Sequence, residues 1–301
     1  TGSDVTASGN ITGVTTLTLA SIGGTATLSA DVDITTLVAL GNTVANIVFS
    51  GNGSTVVNTF TPITDGTLTL GTSGGTQTWT GGINGINRSG ETILNGTIQS
   101  SNAAFVFGNV TLNSDSVINT NATGQFADIF VGAITGNNNS LALSTGNNIP
   151  GADIIISFID ASGSSGIDAL TLSNIGGTVS FPGSVSIATL SADNTVANIT
   201  FTGSTNTFSA ASTLDNDGTL TFGNATGDSF TFNGGLNTSS VAGTVTLNTS
   251  ISSSNDAMVF GAITLGNNVT LDTNATNTTG DLTFGVVTGG SNTLTLSTGN
   301  N

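Results

Sequence analysis

The amino-acid sequence predicts an all-β protein, a parallel β-helix (β-solenoid) built from two tandem repeats of about 152 residues. Three observations predict it. The 301-residue chain is internally duplicated, it consists of short runs in which apolar residues alternate with Thr or Ser, and Gly, Asn, Asp or Ser separate those runs. Runs of this kind at spacings of roughly 8–12 residues are typical of an all-β architecture.

The duplication covers nearly the whole chain. The segment NTVANI at 42–47 returns at 194–199, and LSTGNN at 143–148 returns letter for letter at 296–301. Other matched segments are GTLTLG at 66–71 with GTLTFG at 218–223, and TNAT at 120–123 with TNAT at 273–276. We therefore divide the chain into unit one (1–148) and unit two (149–301), expected to form one continuous solenoid. Because both units stop at the same point, we expect them to be two units of an array.

Each short run reads as a β-strand with one buried face. In TLTL, FVF and VTL, apolar side chains alternate with outward positions, which is the period of a strand. Asn and Gly between the runs tolerate the left-handed backbone that tight corners require. No 12-residue helical pattern occurs, so we predict no crossover helices.

The repeat length sets the dimensions of the predicted rod. Coils of roughly 20–25 residues, comparable to other short solenoid repeats, give about 12–15 coils. Stacked at ~4.8 Å, they form a rod on the order of 60–70 Å long. The alternative fold is a pair of tandem β-sandwich domains, although about 150 residues per unit is large for that class.

Composition excludes most enzyme classes. Lys and Arg together occur once, Asp and Glu 17 times, and His, Cys and Tyr are absent, for a formal net charge of −16. Without His or Cys the chain cannot build the usual catalytic triads or zinc sites. Too few cations are present to neutralise phosphates, so we expect no nucleic-acid partner. The sequence therefore predicts a non-enzymatic protein with no cofactor, except a possible calcium ion.

No membrane-spanning or secretion segment is visible. The chain opens TGSDVTASGN, which lacks a basic segment followed by an apolar core. Its longest apolar runs fall far short of the ~20 residues that a membrane helix requires. We expect no membrane insertion by this segment, and any anchor or export signal to lie outside it.

The sequence FGAITLGNNVTL at 260–271 resembles the repeat regions of secreted bacterial β-solenoid adhesins. The nearest comparisons are autotransporter passenger domains, including rickettsial surface antigens, and filamentous-haemagglutinin-like proteins. The resemblance rests on composition and rhythm along nearly the whole chain. It implies export, a right-handed parallel β-helix, and an adhesive or surface-coating role.

The acidic residues suggest a calcium site. Asp31 with Asp33, and Asp215 with Asp217, form the closest acidic pairs, and Ca²⁺ takes carboxylate and carbonyl oxygens. Neither pair continues into an EF-hand loop or a calcium-binding nonapeptide. Aspartates at turns also accept hydrogen bonds from their own backbone. In unit two, Ser184 and Ser186 stand opposite the first pair, so that pair is not repeated.

Three other features have structural interpretations. Arg88 and Glu91 are close enough in sequence for a surface ion pair worth under ~1 kcal/mol. Trp79 aligns with Phe232 and Phe105 with Met258, which indicates core residues because bulk is kept. Thr-x-Thr pairs would be typical of ice-binding solenoids if they lay on successive coils. Those at 67/69, 219/221 and 293/295 are scattered along the sequence, which predicts no flat array.

These observations favour a non-enzymatic structural or adhesive module of a secreted repetitive bacterial surface protein, a stalk or adhesin rod at the cell surface. The alternative is a self-assembling subunit of an extracellular filament, sheath or S-layer, because the closing LSTGNN matches the internal one and gives no sign of a cap. An ice-binding solenoid is a remote alternative. Expected partners are other copies or adjoining repeats end to end, and a host or neighbouring cell surface.

Overall fold

A computed structural model describes residues 2–40, 44–86, 88–159 and 166–299. Asn300 and Asn301, which close the second LSTGNN, and Asn42 and Thr43 of the first NTVANI lie outside the described residues. The fold is an all-β parallel solenoid of about 13 turns, with no helix among the described residues. The parallel β-helix and the number of coils predicted from the sequence are therefore confirmed, and the tandem-sandwich alternative is wrong.

Thirty-two strands make up the described part of the chain. They are β1 (Val5–Ala7), β2 (Ile11–Leu19), β3 (Ile22–Leu28), β4 (Val32–Ala39), β5 (Val44–Phe49), β6 (Thr55–Val56), β7 (Leu68–Leu70), β8 (Thr76–Trp79), β9 (Ile83–Asn84), β10 (Thr92–Gln99), β11 (Phe105–Phe107), β12 (Val110–Asn119), β13 (Ile129–Thr135), β14 (Leu141–Ser144), β15 (Ile154–Ile159), β16 (Ile167–Leu172), β17 (Ile175–Phe181), β18 (Val185–Ala192), β19 (Val196–Phe201), β20 (Thr205–Phe208), β21 (Ser212–Leu214), β22 (Leu220–Phe222), β23 (Ser229–Phe232), β24 (Leu236–Thr238), β25 (Val245–Leu247), β26 (Ser250–Ser253), β27 (Met258–Phe260), β28 (Ile263–Leu265), β29 (Val269–Asp272), β30 (Leu282–Thr283), β31 (Val287–Thr288) and β32 (Leu294–Ser297).

Parallel pairing arranges the strands in three ladders along the rod, and the chain visits them in the order A, B, C in every turn. Ladder A contains β1, β3, β5, β7, the first parts of β10, β12 and β18, the last parts of β13 and β15, and then β20, β23, β26, β29 and β32. Ladder B contains the first parts of β2 and β4, then β6, β8, the last parts of β10, β12 and β18, and β14, β16, β21, β24, β27 and β30. Ladder C contains the last parts of β2 and β4, Phe60, β9, β11, the first parts of β13 and β15, and β17, β19, β22, β25, β28 and β31.

The turns differ in length although the strands stay in register. Partners on adjacent rungs are 18 residues apart at Ile93 and Thr111, and 26 apart at Ile159 and Val185. The extra residues extend the corners, while three short strands line the same interior in each turn. The ladders also run across the boundary between the two units, because β13 pairs with β15 and β14 with β16.

Alternate side chains point inward and stack along the axis to form one continuous core. Ile47, Leu68 and Leu220 are fully buried, and most strands show the buried–half-buried alternation of a one-sided strand. Trp79 and Phe105 are buried in this core, as their unit-two partners Phe232 and Met258 are. Their prediction as core residues is confirmed.

Asparagine forms the corners that need left-handed backbone. Among the described non-glycine residues, φ is positive at Ser21 and at eight asparagines, with values from 45° to 68°. Three of these positions recur at equivalent places in the two units, as Ser21 with Asn174, Asn102 with Asn255, and Asn121 with Asn274. Asn adopts this conformation more readily than most residues.

The sequence repeat does not span a whole number of turns of the solenoid. Ile47 and Ile199 are equivalent in sequence, yet Ile47 lies on ladder A and Ile199 on ladder C. Six steps along ladder A lead from Ile47 to Val185, and the chain then passes through ladder B to reach Ile199, a total of six and two-thirds turns. Unit two is therefore rotated about the axis by one face relative to unit one.

Candidate functional site

The first predicted calcium pair holds neighbouring turns together. Asp31 Oδ1 accepts a hydrogen bond from the Gly53 N–H at 2.8 Å, and Asp33 Oδ1 accepts one from the Thr55 N–H at 3.1 Å. Both donors lie one turn further along the rod. The expectation that these aspartates bond their own backbone at a turn is therefore wrong for this pair, because the next turn presents unpaired N–H groups within reach.

The second pair lies at the corner between ladders B and C. Asp217 is exposed, whereas one carboxylate oxygen of Asp215 is buried without a hydrogen-bond partner. No group of three or more His, Cys, Asp or Glu side chains that could hold a metal ion occurs in the described part of the chain. Since Ca²⁺ takes six to eight oxygen ligands, backbone carbonyls and water would have to supply most of them at either pair. Calcium binding at Asp31, Asp33, Asp215 and Asp217 stays a prediction.

The hydrogen bond from one turn to the next is a recurring device of this fold. A side-chain oxygen of Asp or Asn accepts a backbone N–H about one turn further on, and equivalent positions do so in both units. The equivalent pairs are Asn46 to Thr67 with Asn198 to Thr219, Asn102 to Thr123 with Asn255 to Thr276, and Asp115 to Ser140 with Asn268 to Thr293. We call these contacts inter-turn clamps. The neutral Asn268 accepts the same hydrogen bond as its equivalent Asp115, so a clamp does not require a negative charge.

Two clamps in succession bring two carboxylates together. Asp128 accepts from the Asp153 N–H at 2.8 Å, and Asp153 accepts from the Thr178 N–H at 2.7 Å. Burial raises the pKa of the Asp128 carboxyl, the hydrogen bond from Asp153 opposes that rise, and the charge of Asp153 adds to it. Both carboxylates are occupied by backbone donors, which is the geometry of a structural contact.

Arg88, the only basic residue, is a buried structural donor and not a surface ion-pair partner. Its guanidinium donates to the backbone carbonyls of Gly66 at 2.7 Å and Glu91 at 2.9 Å. The Glu91 carboxylate instead accepts from the Thr111 hydroxyl. Burial lowers the pKa of Arg88 to about 10. The expectation of a surface pair was wrong because the corner loop folds the arginine back, so that its guanidinium donates to backbone carbonyls.

A row of threonines lies on the outward side of ladder C in unit two. The paired register aligns Thr200, Thr221, Thr246, Thr264 and Thr288 on five successive turns, with Ser180 one turn before them. Thr200, Thr221, Thr246 and Thr264 each lie between two buried apolar residues of their strand and therefore face outward. Thr288 is itself exposed. Of the Thr-x-Thr pairs noted in the sequence, only Thr221 belongs to this row, while Thr69 and Thr295 lie on ladder A, so the pairs themselves form no array.

Sequence reasoning missed this row because turn length varies. Successive members are 21, 25, 18 and 24 residues apart, so no fixed period marks them. The local motif could have found them, since each threonine follows an apolar residue and four of the five also precede one. The equivalent row in unit one includes Val48 and Ile93 in place of Thr200 and Thr246.

One surface groove lacks a pair of free titratable groups. A groove of about 440 Å³ beside β10 and β12 is lined by Gly96, Thr97, Val117 and Asp115 among others. Asp115 is its only titratable residue, and that carboxylate already accepts the Ser140 N–H. General acid–base chemistry needs a positioned proton donor or acceptor that is free to act, so this groove does not support a reaction.

No helix among the described residues is long and apolar enough to span a membrane. Comparison with protein-family models, with curated proteins and with solved structures gives no match to this chain.

Proposed function

We propose that the chain is a non-catalytic, rod-shaped module of a secreted bacterial surface protein, acting as a stalk or adhesin outside the cell. The observation that carries the proposal is one continuous hydrophobic core that follows three ladders of strands through about 13 turns. At ~4.8 Å per turn the rod is roughly 60 Å long. A net charge of −16 on an outer surface of Thr, Ser and Asn keeps such rods soluble and apart.

Electron microscopy and small-angle scattering of the purified protein test the proposal, with and without millimolar calcium. Separate rods of about 60 Å, the length set by ~4.8 Å stacking, are expected. Limited proteolysis should cut corner loops before the ladders, because the ladders carry the paired backbone. Compact globules, or loss of the rod shape without calcium, would contradict a calcium-independent rod.

A self-assembling subunit of a filament, sheath or S-layer is the second candidate. It is favoured by apolar side chains at both ends of ladder A, where Val5 is 44% and Leu296 47% exposed. One further turn, from the same polypeptide or from a second copy, would cover them. Leu296→Asp should then abolish any fibres, whereas Phe126→Asp, at an exposed corner in the middle of the rod, should leave them intact. Fibres from both variants would exclude stacking through this end.

Ice binding is the remote candidate, and the threonine row on ladder C favours it. Five uncharged hydroxyls on successive turns form a regular strip that could order water. Thr221→Lys should abolish thermal hysteresis if the strip binds ice, whereas Thr69→Lys, at the equivalent position of unit one, should retain it. Absence of hysteresis in the unmodified protein would exclude this function.

A further inference from the structure

The boundary between the two units shows how the last turn of one unit receives the first turn of the next. One apolar pair on each ladder forms the contact, namely Ile129 with Ile154, Ile134 with Ile159, and Leu141 with Leu170. All six side chains are at most 1% exposed. The hydrophobic core therefore passes from unit one to unit two as one cluster.

The last described turn presents the same pattern of apolar residues at the end of the rod. Its inward residues are the unit-two equivalents of the three that receive unit two at the boundary. They are Leu282, Val287 and Leu294, equivalent to Ile129, Ile134 and Leu141. All three are only partly buried, and Leu296 is 47% exposed, whereas its equivalent Leu143 is fully buried. This turn therefore offers the apolar edge that unit two covers on unit one.

The first turn carries the matching apolar residues. Its inward residues Val5, Ile11 and Leu17 correspond to Ile154, Ile159 and Leu170, because the residues with which they pair on the next turn are equivalent. Those next-turn partners are Ala26 and Val179, Val32 and Val185, and Leu37 and Leu190. Val5 is 44% exposed, whereas Ile154 is fully buried. The first turn of unit one therefore has the surface by which unit two packs on unit one.

A polar contact at the boundary also has its equivalents at the two ends. Asp128 accepts the Asp153 N–H at 2.8 Å across the boundary. Asp281 is the equivalent of Asp128 and is exposed on the last turn. Asp4 is the equivalent of Asp153, since each accepts an N–H from an equivalent threonine of the next turn, Thr25 and Thr178. Both halves of this inter-turn clamp are thus present, one at each end of the rod.

We infer that the first turn of a second copy of this chain docks on the last turn of the rod, in the register that joins unit two to unit one. Three apolar pairs and one clamp form the contact: Val5 on Leu282, Ile11 on Val287, Leu17 on Leu294, and the Asp4 N–H donated to Asp281. Val5 lies on ladder A and Leu282 on ladder B, so each copy is turned by one face relative to the copy before it. The inference rests on the self-assembling subunit, the second proposed function, and gives that subunit its contact.

An intermolecular disulfide tests this register. The chain has no cysteine, so introduced cysteines are the only thiols. Thr18 and Thr295 are exposed, and their equivalents Thr171 and Ala142 pair across the boundary between the units. Adjacent rungs lie ~4.8 Å apart, within the range that a disulfide bridges. Because about 13 turns separate the two positions in one chain, a disulfide between Thr18→Cys and Thr295→Cys must join two copies.

The matched control is Thr6→Cys with Thr295→Cys. Both positions are exposed and both lie on ladder A, so they would meet only if copies stacked without rotation. Oxidation is carried out in about 1 M salt, where the Debye length is about 3 Å. The repulsion between copies that each carry a net charge of −16 is then screened.

The pair at 18 and 295 should give a series of reducible oligomers longer than dimers, whereas the control pair should stop at dimers. No oligomers beyond dimers from the first pair, or as many from the control pair, would overturn the inference. Electron microscopy of the cysteine-free protein in the same salt separates the two proposals. Fibres combined with the control disulfide refute this register alone, and separate rods refute self-assembly.

Discussion

The two units fill the same stretch of core in different ways. In unit two, Phe181, Phe201 and Phe222 stack along ladder C with ring centroids 4.7 and 5.6 Å apart, and Phe208 stacks on Phe232 at 4.3 Å. In unit one the equivalent places of Phe181, Phe208 and Phe222 hold Leu28, Val56 and Leu70. One backbone design thus accepts an aromatic or an aliphatic stack, because each inward residue need only match its neighbours on adjacent turns.

A polar residue marks the difference most clearly. Gln77 is fully buried in unit one, where its Nε2 donates to the carbonyls of Phe49 and Gly51 at 3.0 and 3.1 Å while its Oε1 has no partner. The indole N–H of Trp79 is also unpaired. Phe230 stands at the position equivalent to Gln77, packed edge-on against Phe201 and Phe222. Buried polar groups without partners cost stability, so the turn that holds Gln77 and Trp79 should open before the turn that holds Phe230 and Phe232.

The largest effect is expected from truncating the aromatic stack. Phe201 contacts four aromatic rings, whereas its equivalent Phe49 contacts Phe60 and Trp79. Truncating a buried Phe to Ala costs about 3–5 kcal/mol. We expect Phe201→Ala to lie at the upper end of that range and Phe49→Ala to destabilise its turn less. Hydrogen exchange resolved by turn measures both. A larger loss for Phe49→Ala would mean that unit one carries the better-packed core.

Replacing Gln77 and Ser54 of unit one by their unit-two equivalents, Phe and Asn, should reveal an energetic coupling between the two positions. In unit two, Asn206 accepts the Val185 N–H and donates to the Gly203 carbonyl, whereas in unit one Ser54 accepts the Val32 N–H and Gln77 serves the Gly51 carbonyl. Gln77→Phe alone leaves that carbonyl without its side-chain donor, a cost of about 1–3 kcal/mol that opposes the gain from removing the unpaired Oε1. Adding Ser54→Asn should supply a new donor to the Gly51 carbonyl and recover the lost stability. The expected coupling energy in a double-mutant cycle is about 0.5–3 kcal/mol. Strict additivity would show that the two side chains act independently.

The smallest effect concerns a clamp that carries a charge. Because the pKa of Asp128 is raised in the folded protein, stability is lost as pH rises from the ordinary carboxyl value through the raised one. Asp128→Asn keeps the side-chain oxygen that accepts the Asp153 N–H and removes this loss. The variant should melt slightly higher than the parent near neutral pH and at the same temperature in acid. Asp115→Asn is the matched control, and a gain that persists in acid would contradict the electrostatic explanation.

The sequence predicts what is repeated in every turn and misses what depends on turn length. The core roles of Trp79 and Phe105, the Asn corners and the coil number follow from residue type and short-range pattern. The threonine row does not, because corners of variable length decide which residues become neighbours. The surface ion pair of Arg88 and the bond of Asp31 to its own backbone were predicted wrongly for a related reason. Their partners are backbone groups of Gly66 and Gly53, about 22 residues away, and these carry no sequence signal.

The central claim is that three ladders continue through both units with a fixed register, and one disulfide tests it most directly. Ile155 on ladder C pairs with Ser180, whereas Thr171, closer in sequence, lies on ladder B. Paired residues on adjacent rungs have Cα atoms about 4.8 Å apart, within the range that a disulfide bridges. Under mild oxidation, Ile155→Cys with Ser180→Cys should form an intramolecular disulfide, and Ile155→Cys with Thr171→Cys should remain reduced. The opposite result would contradict the register and, with it, the rotation of one unit against the other.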